Sequence, residues 1–79
     1  MTKSNFLKEM HEMLEITSID NITEETVLKE LEEYNSLFLL TIIAFVDENF
    51  NLQLSAEQLG SVTTIQSLME LIGLKKFED

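Results

Sequence analysis

The chain has 79 residues, enough for one domain that hides only about 60–65% of the surface its unfolded form exposes. Fifteen acids face five bases, all lysine, for a formal charge of −10, so a phosphate-neutralising basic stripe and attraction to an anionic membrane are both excluded. With no cysteine there is no disulfide framework, no thiolate zinc site and no thiol nucleophile.

Apolar residues fall mostly three and four apart, and proline is absent, so the chain reads as all-α throughout residues 1–79. The first segment sets Phe6, Leu7, Met10, Met13 and Leu14 on one face, an amphipathic helix of about three turns. Residues 1–14 carry charges throughout rather than the apolar core of a secretory leader, which predicts a cytoplasmic protein. His11 lies on this helix between Met10 and Glu12 and reads as a surface residue. Residues 16–35 are the weakest to assign. Thr and Asn clusters precede an acidic piece with Val27, Leu28 and Leu31, and a connection of this length must wrap the core or serve a function. Glu24–Glu25 and Glu32–Glu33 read as a solvated face, and the sequon Asn21-Ile22-Thr23 carries little weight without a leader.

The second helix begins at Asn35 or Ser36, either of which can cap it, and runs to about Phe50, with Asn51 suited to the left-handed stop. Ser55 with Gln58 forms a capping box that opens a short helix closed at Gly60. Thr63 with Gln66 repeats the pattern for a last helix over 64–72, stopped by Gly73 and followed by Lys75 and Lys76. The prediction is three longer helices and one short one. The longest apolar run, residues 37–46, is too short to cross a bilayer.

Chemistry of the chain's own is sparse. Asp47, Asn49 and Asn51 imitate the start of a calcium loop, but Leu52 stands where the loop needs glycine and Gln58 where it needs glutamate. No phosphate-cradling loop and no Ser–His or Cys–His pairing is present, so the chain is read as non-catalytic and without a metal. The second helix is the anomaly. Leu39, Ile42, Ile43, Val46 and Phe50 share one face and are expected to fill the core with Phe6, Leu7, Leu54, Leu59, Val62, Ile65, Leu68 and Ile72. Leu37, Leu40, Thr41, Ala44, Asp47 and Glu48 share the other. That apolar stripe reads either as a covered central helix or as a docking face, and docking is favoured. Residues 30–74 hold seven acids and no base, a field that draws basic partners and repels acidic ones.

At Tyr34-Asn35-Ser36-Leu37 the chain resembles the acyl carrier proteins of the phosphopantetheine-binding family, in which a D-S-L triplet opens the second helix and its serine carries the prosthetic arm. The resemblance continues through Val46-Asp47-Glu48-Asn49-Phe50, Leu52-Gln53-Leu54 and Val62-Thr63-Thr64-Ile65, and Tyr34 stands where a specialised W-D-S-L branch has tryptophan. It implies a four-helix bundle and a 4′-phosphopantetheine arm on Ser36, placed from coenzyme A by a phosphopantetheinyl transferase. The arm's thiol would hold an acyl or aminoacyl group for a fatty-acid, polyketide-like or other specialised pathway. Asn35, Leu37, Leu40, Thr41, Ala44, Asp47 and Glu48, with Glu57 as an acidic rim, would meet acyl-loading and acyl-transferring enzymes through their basic patches, the carrier itself being a monomer. Asn35 replaces the usual aspartate, and Phe38 and Thr41 replace acidic residues, which points to a greasier docking face and a dedicated pathway. The competing reading is a protein of the same fold that is never modified and acts only as an acidic interaction module. The apolar interior is further expected to shelter a short acyl chain.

Overall fold

The computed structural model describes residues 1–78 and is mostly helical. The described residues form four α-helices: α1, Lys3–Met13; α2, Ser36–Phe50; α3, Ala56–Gly60; and α4, Ile65–Ile72. Two 3₁₀ turns, Leu28–Glu30 and Leu74–Lys76, complete the regular structure of the described residues apart from one isolated bridge. No helix among them is long and apolar enough to cross a membrane.

α1 starts at Thr2, whose hydroxyl accepts the Asn5 N–H at 3.1 Å. Phe6, Met10 and Leu14 are buried, Leu7 is half-buried, and Met13, expected on the same face, is 36% exposed. The helix ends where Glu15 takes φ 52°, with Glu15 N–H donating to Glu12 O and Ile16 N–H to His11 O. This closure normally uses glycine or asparagine. His11 is half-buried rather than a free surface group, its Nε2 lying 3.3 Å from Ile19 O.

Residues 16–35 wrap the core: Ile16, Ile22, Leu28 and Leu31 are all buried. Their backbone also completes α4. Val27 pairs with Thr64 as an antiparallel bridge, and Leu28 N–H donates to Thr63 O at 2.9 Å. In return, Thr26 O accepts Ile65 N–H at 3.1 Å and Glu24 O accepts Gln66 N–H at 2.8 Å. Those two donors belong to the first turn of α4, which has no carbonyls of its own for them.

α2 runs between the predicted limits, with Asn35 as its cap and Asn51 in the left-handed region at φ 53°. Its orientation differs from expectation. The buried residues are Phe38, Ile42, Phe45 and Val46, while Leu39, Ile43 and Phe50 are only half-buried. The helix is thus turned by somewhat less than one residue step of about 100°. Being apolar around most of its girth, it carries no sequence signal to choose its angle, and two phenyl rings hide more apolar area than the aliphatic pair expected there. Phe38 accordingly belongs to the core and not to a docking face.

Ser55 and Gln58 form the reciprocal capping box of α3. The box of α4 lies one residue later than predicted. Thr64 Oγ1 accepts Ser67 N–H and Ser67 Oγ accepts Thr64 N–H, whereas Gln66 is exposed and outside the pairing. The reason is the Val27 bridge, which holds residue 64 extended. Gly73 ends α4 at φ 118°, and Phe77, absent from the predicted core, returns to pack on Phe6 and Phe50 at ring-centre distances of 5.2 and 5.3 Å. The remaining predicted core positions on α3, α4 and their approaches are buried.

Candidate functional site

Ser36 is the first residue of α2, and its environment follows from the residue before it. Asn35 is fully extended, at φ −162°, and its Oδ1 accepts the Phe38 N–H at 2.9 Å. Asparagine thus performs the capping that aspartate would, with the neutral side chain leaving one charge fewer at the helix start. Because Asn35 is the cap, Ser36 is not. Its side chain is exposed, and its hydroxyl has no hydrogen-bond partner among the described residues. The backbone N–H groups of Ser36 and Leu37 likewise find no acceptor among those residues. A reactive oxygen therefore stands in water beside two open donors, at the positive end of a helix of 15 residues.

These features suit a phosphodiester linked through Ser36 Oγ: the two free N–H groups can donate to its oxygens, and the helix dipole favours its negative charge. No buried side chain would have to move to admit it.

Around Ser36 the α2 surface carries the remaining candidates. Leu37 and Leu40 are 70% and 58% exposed, unusual for leucines at adjacent turns of one helix. Ala44, Asp47 and Glu48 are exposed beyond them. Thr41 is half-buried and donates its hydroxyl to Leu37 O at 2.9 Å, a bond within the helix. Glu57 is exposed in the first turn of α3, an element in contact with α2.

Glu33 was not singled out by the sequence, where it reads as part of a solvated run. Its carboxylate accepts the Thr17 N–H at 2.9 Å, the Ser18 N–H at 3.1 Å and both hydroxyls. The Thr17 backbone donor, followed by the Ser18 hydroxyl, pulls the acid from its ordinary 4.5 down to about 2, against a smaller opposing effect of burial. Glu33 thereby ties the 16–35 segment to the approach of α2, two residues before the cap. A shallow cleft of about 250 Å³ opens at this junction, lined by Met13, Leu14, Glu15 and Glu33 on one side and Asn35, Leu37, Phe38 and Thr41 on the other. A second, of about 480 Å³, continues along α1 and α2 between Glu9, Glu12, Met13, Phe45, Glu48 and Asn49. Glu9 and Glu12 also went unnoticed in sequence, and Met13 reads there as part of the core-facing stripe of α1. The phase of α1 relative to α2 decides their place, and no local pattern records it.

No three His, Asp or Glu side chains among the described residues are gathered to hold a metal ion. No family model, curated protein or solved structure matches this chain.

Proposed function

We propose that the chain is an acyl-carrier-like bundle that receives a 4′-phosphopantetheine arm on Ser36 and presents an acyl or aminoacyl thioester to partner enzymes. One observation carries the reading: the hydroxyl of Ser36 is exposed and unpartnered because Asn35 does the capping. A serine retained merely to cap a helix would bond to the backbone two or three residues on. The helix order supports the same reading, with a short α3 between longer elements, as does the run of residues by which the sequence resembles the carrier family.

When attached, the arm supplies a thiol at the end of a flexible tether, raising the local concentration of its cargo at each partner's active site. The chain's part is to hold the linkage at the α2 N-terminus and to offer Leu37, Leu40, Thr41, Ala44, Asp47 and Glu48 for recognition. The acidic surface steers enzymes with basic patches toward that helix. The interior is filled by side chains such as Phe38 and Phe45, and the clefts beside α2 lie at the surface. A cytoplasmic, monomeric carrier that performs no catalysis is the form this reading takes.

Incubation with coenzyme A and a broad-specificity phosphopantetheinyl transferase tests it. Intact mass rises by one phosphopantetheinyl group, and Ser36→Ala stays unshifted. A wild-type chain that gains no mass overturns the reading and leaves the unmodified interaction module.

A further inference from the structure

We propose that the α1–α2 groove is a docking site for a short cationic amphipathic helix of a partner protein, which engages α2 from its α1 edge. The inference deepens the carrier reading's partner surface and rests on it for biological context, but the groove itself requires no modification of Ser36.

The candidate surface of α2 has two edges. At about 100° per residue, Leu37, Thr41 and Glu48 fall on one side of Ala44, and Leu40 and Asp47 on the other. The clefts show what each edge meets. Leu37 and Thr41 share the first cleft with Met13, and Glu48 shares the second with Met13, Glu9 and Glu12. Neither cleft is lined by Leu40 or Asp47. Met13 is common to both, so the two form one trough. Its apolar end is Met13 and Leu37, 36% and 70% exposed, and its floor is the buried Phe45.

Charge chooses the occupant. Glu9, Glu12 and Glu48 are exposed, and none has a base within ion-pair distance among the described residues. Of the nearby bases, Lys8 stands one turn before Glu12 on α1 but lines a different cleft, and Lys76 lines a third cleft beside Glu48 and Asn49, so neither lies in the trough. Three carboxylates beside an apolar trough repel a second copy of this acidic chain and favour Lys or Arg flanking an apolar side chain. From Leu37 to Glu48 the trough runs about 16 Å, the length of three helical turns. A partner helix of that length can seat one apolar side chain between Met13 and Leu37 and reach the glutamates with bases one and two turns away.

The test uses the unmodified full chain and a synthetic 14-residue Leu/Lys amphipathic helix, followed by amide NMR shifts. Expected are saturable shifts at Glu9, Met13, Phe45, Glu48 and Asn49, weakened by added salt, with the Leu/Glu version of the peptide silent. Glu9→Lys with Glu12→Lys should weaken binding about tenfold, whereas the same charge change at Glu25 and Glu70, exposed residues that line neither cleft, should alter it by less than about twofold. The reverse ranking, shifts confined to the Leu40–Asp47 edge, or no saturable binding overturns the inference. So does concentration-dependent self-association that moves the same amides without peptide, which would give the groove to a second copy. A chain that gains no mass at Ser36 yet binds the peptide as described refutes the carrier reading and sustains this one.

Discussion

The carboxylate of Glu33 accepts the backbone N–H of Thr17 at 2.9 Å, across sixteen positions of chain, and so fastens the irregular 16–35 segment just before α2 begins. Its acid is held at about 2 instead of 4.5, first by that bond and then by the Ser18 hydroxyl. A carboxyl depressed in the folded state adds stability above its unfolded pKa and loses that contribution as pH falls through the folded value. The wild type should therefore lose stability between about pH 5 and pH 2, and Glu33→Gln should flatten that limb while lowering stability at neutral pH. Urea melts across that range decide the matter: superimposable acid limbs would mean that Glu33 does not fasten the segment.

Asn35 and Ser36 should separate stability from modification. Asn35→Ala removes the acceptor for Phe38 N–H and should cost about 1 kcal/mol. Ser36→Ala removes an unpartnered hydroxyl and should stay within about 0.5 kcal/mol of wild type while abolishing the mass gain. Asn35→Asp keeps the cap, adds a negative charge at the positive helix end worth about 0.5 kcal/mol, and should speed transfer of the arm. Thermal melts paired with intact mass read all three; a Ser36→Ala chain as damaged as Asn35→Ala would restore Ser36 to a capping role.

The position of the α4 box is equally open to mutation. Thr64→Ala should destabilise by about 1 kcal/mol, because Thr64 Oγ1 takes the Ser67 N–H. Gln66→Ala should be within about 0.5 kcal/mol of neutral. Equal losses at the two positions would contradict the one-residue displacement imposed by the Val27 bridge.

Phe77 anchors the last turn of the chain to the α1–α2 core through Phe6 and Phe50. Phe77→Ala should cost about 3 kcal/mol and lower the melting temperature by more than about 10 °C. For a domain of this size, whose whole stability is roughly 4–12 kcal/mol, that is a large share. A shift of only a few degrees would show that the terminal ring is peripheral.

Much of this architecture is readable without the fold. The all-helical character, the limits of α2, the left-handed stop at Asn51, the Ser55–Gln58 box and the break at Gly73 are each settled within four residues, by hydrogen bonds a segment makes to itself. Ser36 as the candidate attachment residue was likewise visible as a motif. Tertiary packing alone decided the rest. α2 is apolar on too many sides for its own pattern to choose a buried face, and Phe38 and Phe45 win that choice only where Tyr34 packs on the first ring and Phe6 of α1 on the second. Glu33 reads as solvated until Thr17 and Ser18 arrive from sixteen and fifteen residues away, and the α4 cap moves because Val27 crosses to Thr64. Short-range hydrogen bonding is written in neighbouring letters, whereas the angle of a helix and the company of a carboxylate are set by which distant surfaces exclude water together.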